Sequence, residues 1–223
     1  MKSFAAVLFV LIVICSTVYG QGAYLERGQS GVEIGGGYST NKDGTGIGVN
    51  AGFTVNNIFD IGIGVENFSY TQKISQSPMT ALSFSPKVTC YVVKNKEELP
   101  LSFAVSAGYG WQTNSSAALD YYSLKMTSES FSVGGSLFGY LKVSESFHIK
   151  PSVGFAYIIG EAKLEDEDGN KITKKDDTTV LLLGLGLAFN IPPKNIFVLS
   201  PAVGISNGTT SFGVGLSLII RTH

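Results

Sequence analysis

Residues 46–55 read Gly-Ile-Gly-Val-Asn-Ala-Gly-Phe-Thr-Val, with an apolar residue at every odd position and a small or polar residue at every even position. A period of two is that of a β-strand with two unlike faces. In a soluble sheet, the polar face would be rich in Lys, Glu and Thr, whereas here three of its five residues are Gly. Glycines suit a crowded interior, and only lipid tolerates a continuous apolar band on the outside of a closed sheet.

The same alternation recurs along the chain in about ten runs. They cover residues 31–39, 46–55, 58–70, 80–93, 100–113, 130–143, 147–160, 178–191, 196–206 and 209–221. Most are long enough to cross a bilayer as tilted strands, which takes about 9–11 residues. The sequence therefore predicts an all-β fold, a single antiparallel up-and-down transmembrane β-barrel of about ten strands. An eight-stranded core with an extra hairpin remains the alternative.

The connections between the runs alternate in length. Short turns are expected at residues 56–57, 94–99, 144–146 and 192–195, and longer polar loops at 71–79, 114–129 and 161–177. Outward-facing aromatic residues gather at both ends of the runs, as in the two interfacial belts of membrane barrels. This pattern predicts short periplasmic turns and longer extracellular loops.

The composition and the first residues indicate an exported protein. Charged residues make up 15% of the 223 residues, against about 25% in ordinary soluble domains. Lys2 is followed by an apolar stretch and then by small residues up to Gly20, which is typical of a cleaved secretory signal peptide. We expect a signal peptide at 1–20, a periplasmic amino-terminal segment at 21–30 and an outer-membrane β-barrel domain at 31–223. A net charge of -1 leaves no basic stripe for nucleic acid.

The closing stretch, residues 211–220, reads Ser-Phe-Gly-Val-Gly-Leu-Ser-Leu-Ile-Ile. Together with the ten runs and the signal, it resembles the small outer-membrane β-barrels of Gram-negative bacteria, the OmpA-like and porin-like group. Its polar and apolar alternation is similar to the carboxy-terminal assembly signal of that group. The resemblance implies residence in the bacterial outer membrane, with membrane lipids and the barrel-insertion machinery as partners. The terminal aromatic residue of the group's signal is replaced here by Arg221-Thr222-His223.

Seven charged residues fall on the inward parity of the runs. They are Glu33, Asp60, Glu66, Lys87, Lys142, Lys150 and Arg221. Buried charges need partners or water, so Glu66 is expected within diagonal reach of Lys87. If the first and last strands pair, Glu33 and Arg221 are expected to meet as a closure contact. The alternative is a set of separately hydrated charges.

The sequence offers little catalytic chemistry. Barrel proteases and deacylases are expected to place His with acidic or Ser side chains near the outer rim, but the two histidines, His148 and His223, fall at the periplasmic end. We predict no enzyme activity, no cofactor and no metal site. The acidic stretch 166–171 has Lys171 where an EF-hand loop needs Gly, so it is interpreted as a hairpin turn.

The sequence therefore favours a structural role in the envelope, or a surface-interaction role through the loops at 114–129 and 161–177. Tyr121 and Tyr122 in the first loop are candidate partner-binding side chains. A porin-like passage for small solutes is the second hypothesis. The passage would be narrow, because side chains fill the interior of small barrels. A soluble, secreted lipocalin-like carrier is the third, and it would place Leu183 and Leu185 inside the molecule.

Overall fold

The computed structural model describes residues 23–26, 28–74, 76–93, 101–192 and 194–222, without the side chains of Ile74 and Val93. The predicted signal peptide and His223 lie outside these ranges. The strands are β1 (Gly31–Asn41), β2 (Gly44–Val55), β3 (Phe59–Ile74), β4 (Ser77–Val93), β5 (Leu101–Ser115), β6 (Lys125–Gly139), β7 (Leu141–Lys142), β8 (Phe147–Glu165), β9 (Lys171–Ile191), β10 (Asn195–Ser206) and β11 (Thr209–Arg221). A five-residue helix, α1 (Ala117–Tyr121), joins β5 to β6.

The strands form one antiparallel sheet that closes on itself. β1 pairs with both β2 and β11, and β6 pairs with both β5 and β8. The two-residue β7 continues the line of β6 and also pairs with β8, so the wall consists of ten strands. Closure removes every unpaired sheet edge. The predicted ten-stranded antiparallel barrel is confirmed.

The apolar parity faces outward along every long strand. Leu181, Leu183 and Leu185 are 43%, 44% and 37% exposed, whereas the alternating residues of the same strand point inward. The inner face carries glycines, serines and threonines, with a few larger side chains. An interior that packs Leu183 and Leu185, as a lipocalin-like carrier needs, is therefore wrong.

Tight turns gather at one end of the barrel, which we call the turn end. The β2–β3 turn at Asn56 and Asn57 has φ of 51° and 54°, the left-handed pair of a type I′ hairpin that asparagine tolerates. The opposite end, the loop end, carries longer excursions, although Asn207 and Gly208 make a second left-handed pair there. In the described part of the chain, no helix is long and apolar enough to cross a membrane.

All three predicted long loops contain strand. The 71–79 loop is wrong, because β3 runs to Ile74 and β4 begins at Ser77. β6 begins at Lys125, five residues before its predicted start, and the 161–177 loop is a β8–β9 hairpin with its tip at Gly169 (φ 78°). Residues 171–180 of β9 pair with β8 but have no β10 partner, so the hairpin extends beyond the closed wall. Outside a membrane, strands no longer need an apolar face, so hydrophobic alternation stops before the strands do.

The amino-terminal segment, residues 23–30, enters the barrel at the turn end. Ala23, Tyr24 and Leu25 are 6%, 8% and 3% exposed. They pack with inward-facing residues of the wall, among them Ala104, Phe138 and Ile219. Ala23, Tyr24 and Leu25 therefore lie inside the lumen and not beyond its mouth.

Asn57 tests the link between the turn and this segment. Its Nδ2 donates to the carbonyl oxygen of Leu25 at 3.1 Å, and its φ is positive. We expect Asn57→Gly to lower the free energy of unfolding by about 1 kcal/mol, because it removes only the hydrogen bond. Asn57→Ala should cost about 1 kcal/mol more, since alanine resists the left-handed region. Urea titration in lipid vesicles measures both, and equal losses would contradict the turn geometry.

Candidate functional site

The turn-end half of the lumen is filled by the amino-terminal segment and the side chains around it. Tyr24 and Leu25 join a buried cluster that spans both halves of the wall. Its other members are Ala23, Tyr91, Ala104, Phe138, Ala188, Ile196, Val198 and Ile219. Tyr91 and Phe138 meet edge to face with ring centroids 5.9 Å apart. This cluster fills the lumen at the turn end.

Lys150 lies under the segment and is 2% exposed. Its Nζ is 4.2 Å from the ring centroid of Tyr24, 5.0 Å from that of Phe138 and 5.8 Å from that of Tyr140. Desolvated cation–π contacts contribute about 2 kcal/mol. Gly186 provides the room, because a Cβ there would collide with the Tyr24 hydroxyl. The ammonium group therefore helps to hold Tyr24 in the lumen.

Polar contacts position the wall beside the segment. The Asp60 carboxylate accepts from Thr54 Oγ1 and from the Tyr91 hydroxyl, each at 2.6 Å. Ser30, at the end of the segment, accepts from the Asn56 backbone N–H at 3.0 Å. Two hydrogen bonds to one buried carboxylate hold Asp60, Thr54 and Tyr91 in fixed positions relative to one another.

The predicted closure contact between Glu33 and Arg221 is wrong in detail. Their strands pair and both residues share the inward parity, with Glu33 opposite Ile219 and Arg221 opposite Gly31. However, no ion pair joins them within the described ranges. Glu33 lies in the middle of the lumen, hydrogen-bonded to Ser217 and Asn50, whereas Arg221 turns to the rim and donates to Asn190 Oδ1 at 3.0 Å.

Glu66 and Lys87 are not diagonal neighbours. Glu66 faces Ser83 and Lys87 faces Gly62, so the two lie about 13 Å apart along the sheet at 3.3 Å per residue. Glu66 accepts from Ser39 at 2.8 Å, and the charges that act on Lys87 are those of Asp60 and Glu33. The error comes from the register shift between Ser69 and Lys73 in β3, because a bulge changes which residues face each other beyond it.

Lys142 lies at the mouth of the lumen and not in its interior. Its side chain is 52% exposed and pairs with Glu145 at 2.6 Å. Lys142 belongs to β7, which is only two residues long. The alternation of inward and outward side chains therefore ends at this point.

His148 is buried at the same mouth, 8% exposed. Its ring stacks on Tyr140 with centroids 4.9 Å apart. Asn190 presents its oxygen to Arg221 and its Nδ2 to His148 Nε2 at 3.0 Å, so Nε2 accepts and the proton resides on Nδ1. This histidine is thus held by structural contacts and lies at the end of the barrel opposite the loops.

The loop end of the lumen is also closed. Phe68 and Tyr70 stack edge to face at 4.9 Å and pack on Met79 and Ala81. Gln112 donates to the Tyr70 hydroxyl at 3.0 Å. These side chains leave no wide channel along this wall.

Two cavities adjoin the amino-terminal segment among the described residues. The inner cavity, about 90 Å³, lies beyond the segment and is lined mainly by inward-facing Ser, Thr, Gly and Ala with Lys87. The mouth cavity, about 230 Å³, opens at the turn end. Its lining is Tyr24, Glu26, Tyr140, Lys142, Glu145, His148, Ala188, Asn190, Ile196 and Arg221.

At the loop end, α1 presents two aromatic rings to solvent. Ser116 caps the helix by accepting from the Leu119 backbone N–H at 3.2 Å, and Ala118 and Leu119 are buried beneath it. Tyr121 and Tyr122 are 82% and 60% exposed and meet edge to face at 4.9 Å. Exposed, mutually supported tyrosines are the residues that binding surfaces favour.

Charged pairs line the base and length of the β8–β9 hairpin, which also lies at the loop end. Lys163 bridges Glu129 and Glu161, and Lys171 and Lys175 pair with Glu165 and Glu161 at 3.2 and 3.5 Å. At the tip, hydrogen bonds from the Asn170 side chain and backbone hold the pKa of the Asp166 carboxyl below its ordinary value. Within the described residues, no group of His, Cys, Asp or Glu is arranged to hold a metal ion.

A closed antiparallel barrel with an apolar outer band and small inward residues defines an outer-membrane-type transmembrane β-barrel. Its fold is similar to that of the translocator domain of the autotransporter NalP from Neisseria meningitidis, with 10% identity, 98% of this chain and 97% of that chain covered, and a TM-score of 0.59. The transport unit of AIDA-I from Escherichia coli gives 10% identity, coverage of 94% and 96% and a TM-score of 0.46. Ail of Yersinia pestis gives 14% identity, coverage of 88% and 99% and a TM-score of 0.39.

No protein-family model matches the chain, and no curated protein matches its sequence. The structural likeness therefore shows the fold, whereas the role of the molecule has to be inferred from its own surfaces.

Proposed function

We propose that the chain is a non-enzymatic barrel of the Gram-negative outer membrane that binds a partner at the cell surface through its loop end. The observation that carries this proposal is the exposed Tyr121–Tyr122 pair at the end of a capped helix on the loop end. The helix is anchored by two buried residues, so its rings are presented at little conformational cost.

The filled lumen supports a binding role over open passage. The cluster around Tyr24 occupies the turn end, and the packing of Phe68 and Tyr70 occupies the loop end. We expect purified barrel in planar bilayers to give no steady stepwise conductance. A stable current in the wild-type chain would favour the porin-like alternative.

The binding role is tested by adhesion of bacterial cells that display the barrel, measured on cultured epithelial cells and between the cells themselves. Replacing both Tyr121 and Tyr122 by Ser should reduce adhesion by about tenfold or more, since tyrosine hot spots are worth about 2 kcal/mol each. Ser123→Gly, in the same connection, is the matched control, because Ser123 has a φ of 49°, which glycine adopts without strain. If wild-type cells adhere no better than cells without the barrel, the role is structural and the binding proposal fails.

A further inference from the structure

Residues 23–26 separate the two cavities of the lumen. Ala23 lines the inner cavity and Tyr24, its neighbour, lines the mouth cavity. Without them the inner cavity would communicate with the turn end. We call this combined space the vestibule.

The segment is not part of the wall. The closing ladder between β1 and β11 starts at Gly31 opposite Arg221, so the sheet is complete without residues 23–30. The segment is held by packing of Tyr24 and Leu25 and by hydrogen bonds from Asn57 to the Leu25 carbonyl and between Tyr91 and the Ala23 backbone. None of these contacts is part of a strand ladder. Withdrawal of the segment therefore leaves every strand pair intact.

The entrance half of the vestibule is basic once the segment has left. Among its described side chains, Lys142, Lys150 and Arg221 are cationic, and Glu145 is the wall carboxylate that faces them. Glu26 departs with the segment, and Lys150 loses the Tyr24 ring that covers it. Lys87 lines the inner cavity beyond. Such an entrance attracts small anions.

We propose that residues 23–26 are a removable plug and that the barrel without it holds a vestibule, open at the turn end, that admits small hydrophilic anions. The plug explains why Gly186 lacks a side chain, since any Cβ there would displace Tyr24. The binding surface at the loop end is a separate feature, so either proposal can fail without the other.

Thiol labelling tests the plug directly. Ser106, which lines the inner cavity, is replaced by Cys in a Cys90→Ser background and labelled in detergent with a methanethiosulfonate reagent. The plugged barrel should label slowly. Deletion of residues 21–29, the double change Tyr24→Gly with Leu25→Gly, and Gly186→Val should each raise the rate by about tenfold or more, because local opening exposes the site. Ser146→Ala, an exposed position at the turn end but outside the segment, is the control.

Charge selectivity is read from the same site. With the plug removed, a sulfonate-bearing reagent should label Ser106→Cys faster than a trimethylammonium-bearing one, relative to their rates on a free thiol, and added salt should reduce the difference. Unheated electrophoretic mobility confirms that each barrel is closed. Because Gly186→Val leaves the segment itself unchanged, it distinguishes plug withdrawal from loss of folding.

Three results would overturn the proposal. Fast labelling of the plugged barrel would show that the segment does not seal the cavity. Slow labelling in every folded plug variant would show that the wall seals it. Faster reaction of the cationic reagent would contradict the anion preference.

Discussion

Replacing Leu183 by Arg should destabilise the barrel in a lipid bilayer by about 2–4 kcal/mol, the cost of arginine on a lipid-facing strand at the bilayer midplane. Leu183 is 44% exposed in the middle of β9, opposite Val153 and Val203. The guanidinium group has no partner there and must distort the lipid to reach water. Urea unfolding in vesicles of saturated short-chain lipid gives the free energy.

Ile172→Arg is the matched control on the same strand. Ile172 is 71% exposed on the part of β9 that has no β10 partner. Because this part lies beyond the closed wall, the change should alter the free energy by less than about 0.5 kcal/mol. Equal losses at Leu183 and Ile172 would mean that lipid does not surround the middle of the barrel.

Replacing Gly35 by Val should have a large effect on the inner face. A Cβ at Gly35 would lie 2.8 Å from the Leu216 carbonyl oxygen, 2.8 Å from Asn50 Oδ1 and 2.9 Å from the Ser217 Cβ. Backbone on the facing strand cannot move without breaking the β1–β11 ladder that closes the sheet. We expect a loss of about 1–3 kcal/mol and a smaller fraction of barrel with fast unheated mobility.

Gly62→Val is its matched control. Gly62 also faces inward, but a Cβ there would meet only the Ala51 carbonyl oxygen at an ordinary 3.5 Å. Valine also favours a strand more than glycine does, so the change should be neutral or slightly stabilising. A similar loss of stability at Gly35 and Gly62 would show that the close packing where β1 meets β11 does not determine the effect.

The sequence predicts the wall well because one physical constraint acts on all of it. Every crossing strand must show an apolar residue to lipid at each second position, so β1, β2, β10 and β11 begin and end within two residues of their predicted limits. Where the constraint stops, the prediction stops too. Residues 166–171 form the hairpin turn that the sequence predicts, but the strands on either side of it continue far beyond the last apolar pair.

The interior could be predicted only in part. Parity places Glu33, Asp60, Glu66 and Lys150 inside, where the structure also has them. Which charges meet depends on register across long connections and on the stagger of the closed sheet, and neither leaves a periodic signal. The plug was missed because Ala23-Tyr24-Leu25 is too short to show a period. The signal that could have indicated it is the inward-facing Lys150, which lies close to the aromatic residues Phe138 and Tyr140.

The central claim is that the apolar face of each strand meets lipid. The chain contains a single tryptophan, Trp111, which lies on that face toward the loop end and is 38% exposed. Its fluorescence in vesicles reports directly on what surrounds it. We predict strong quenching by lipids brominated along their acyl chains and little quenching by aqueous iodide. Efficient quenching by iodide with no effect of the brominated lipids would contradict the claim.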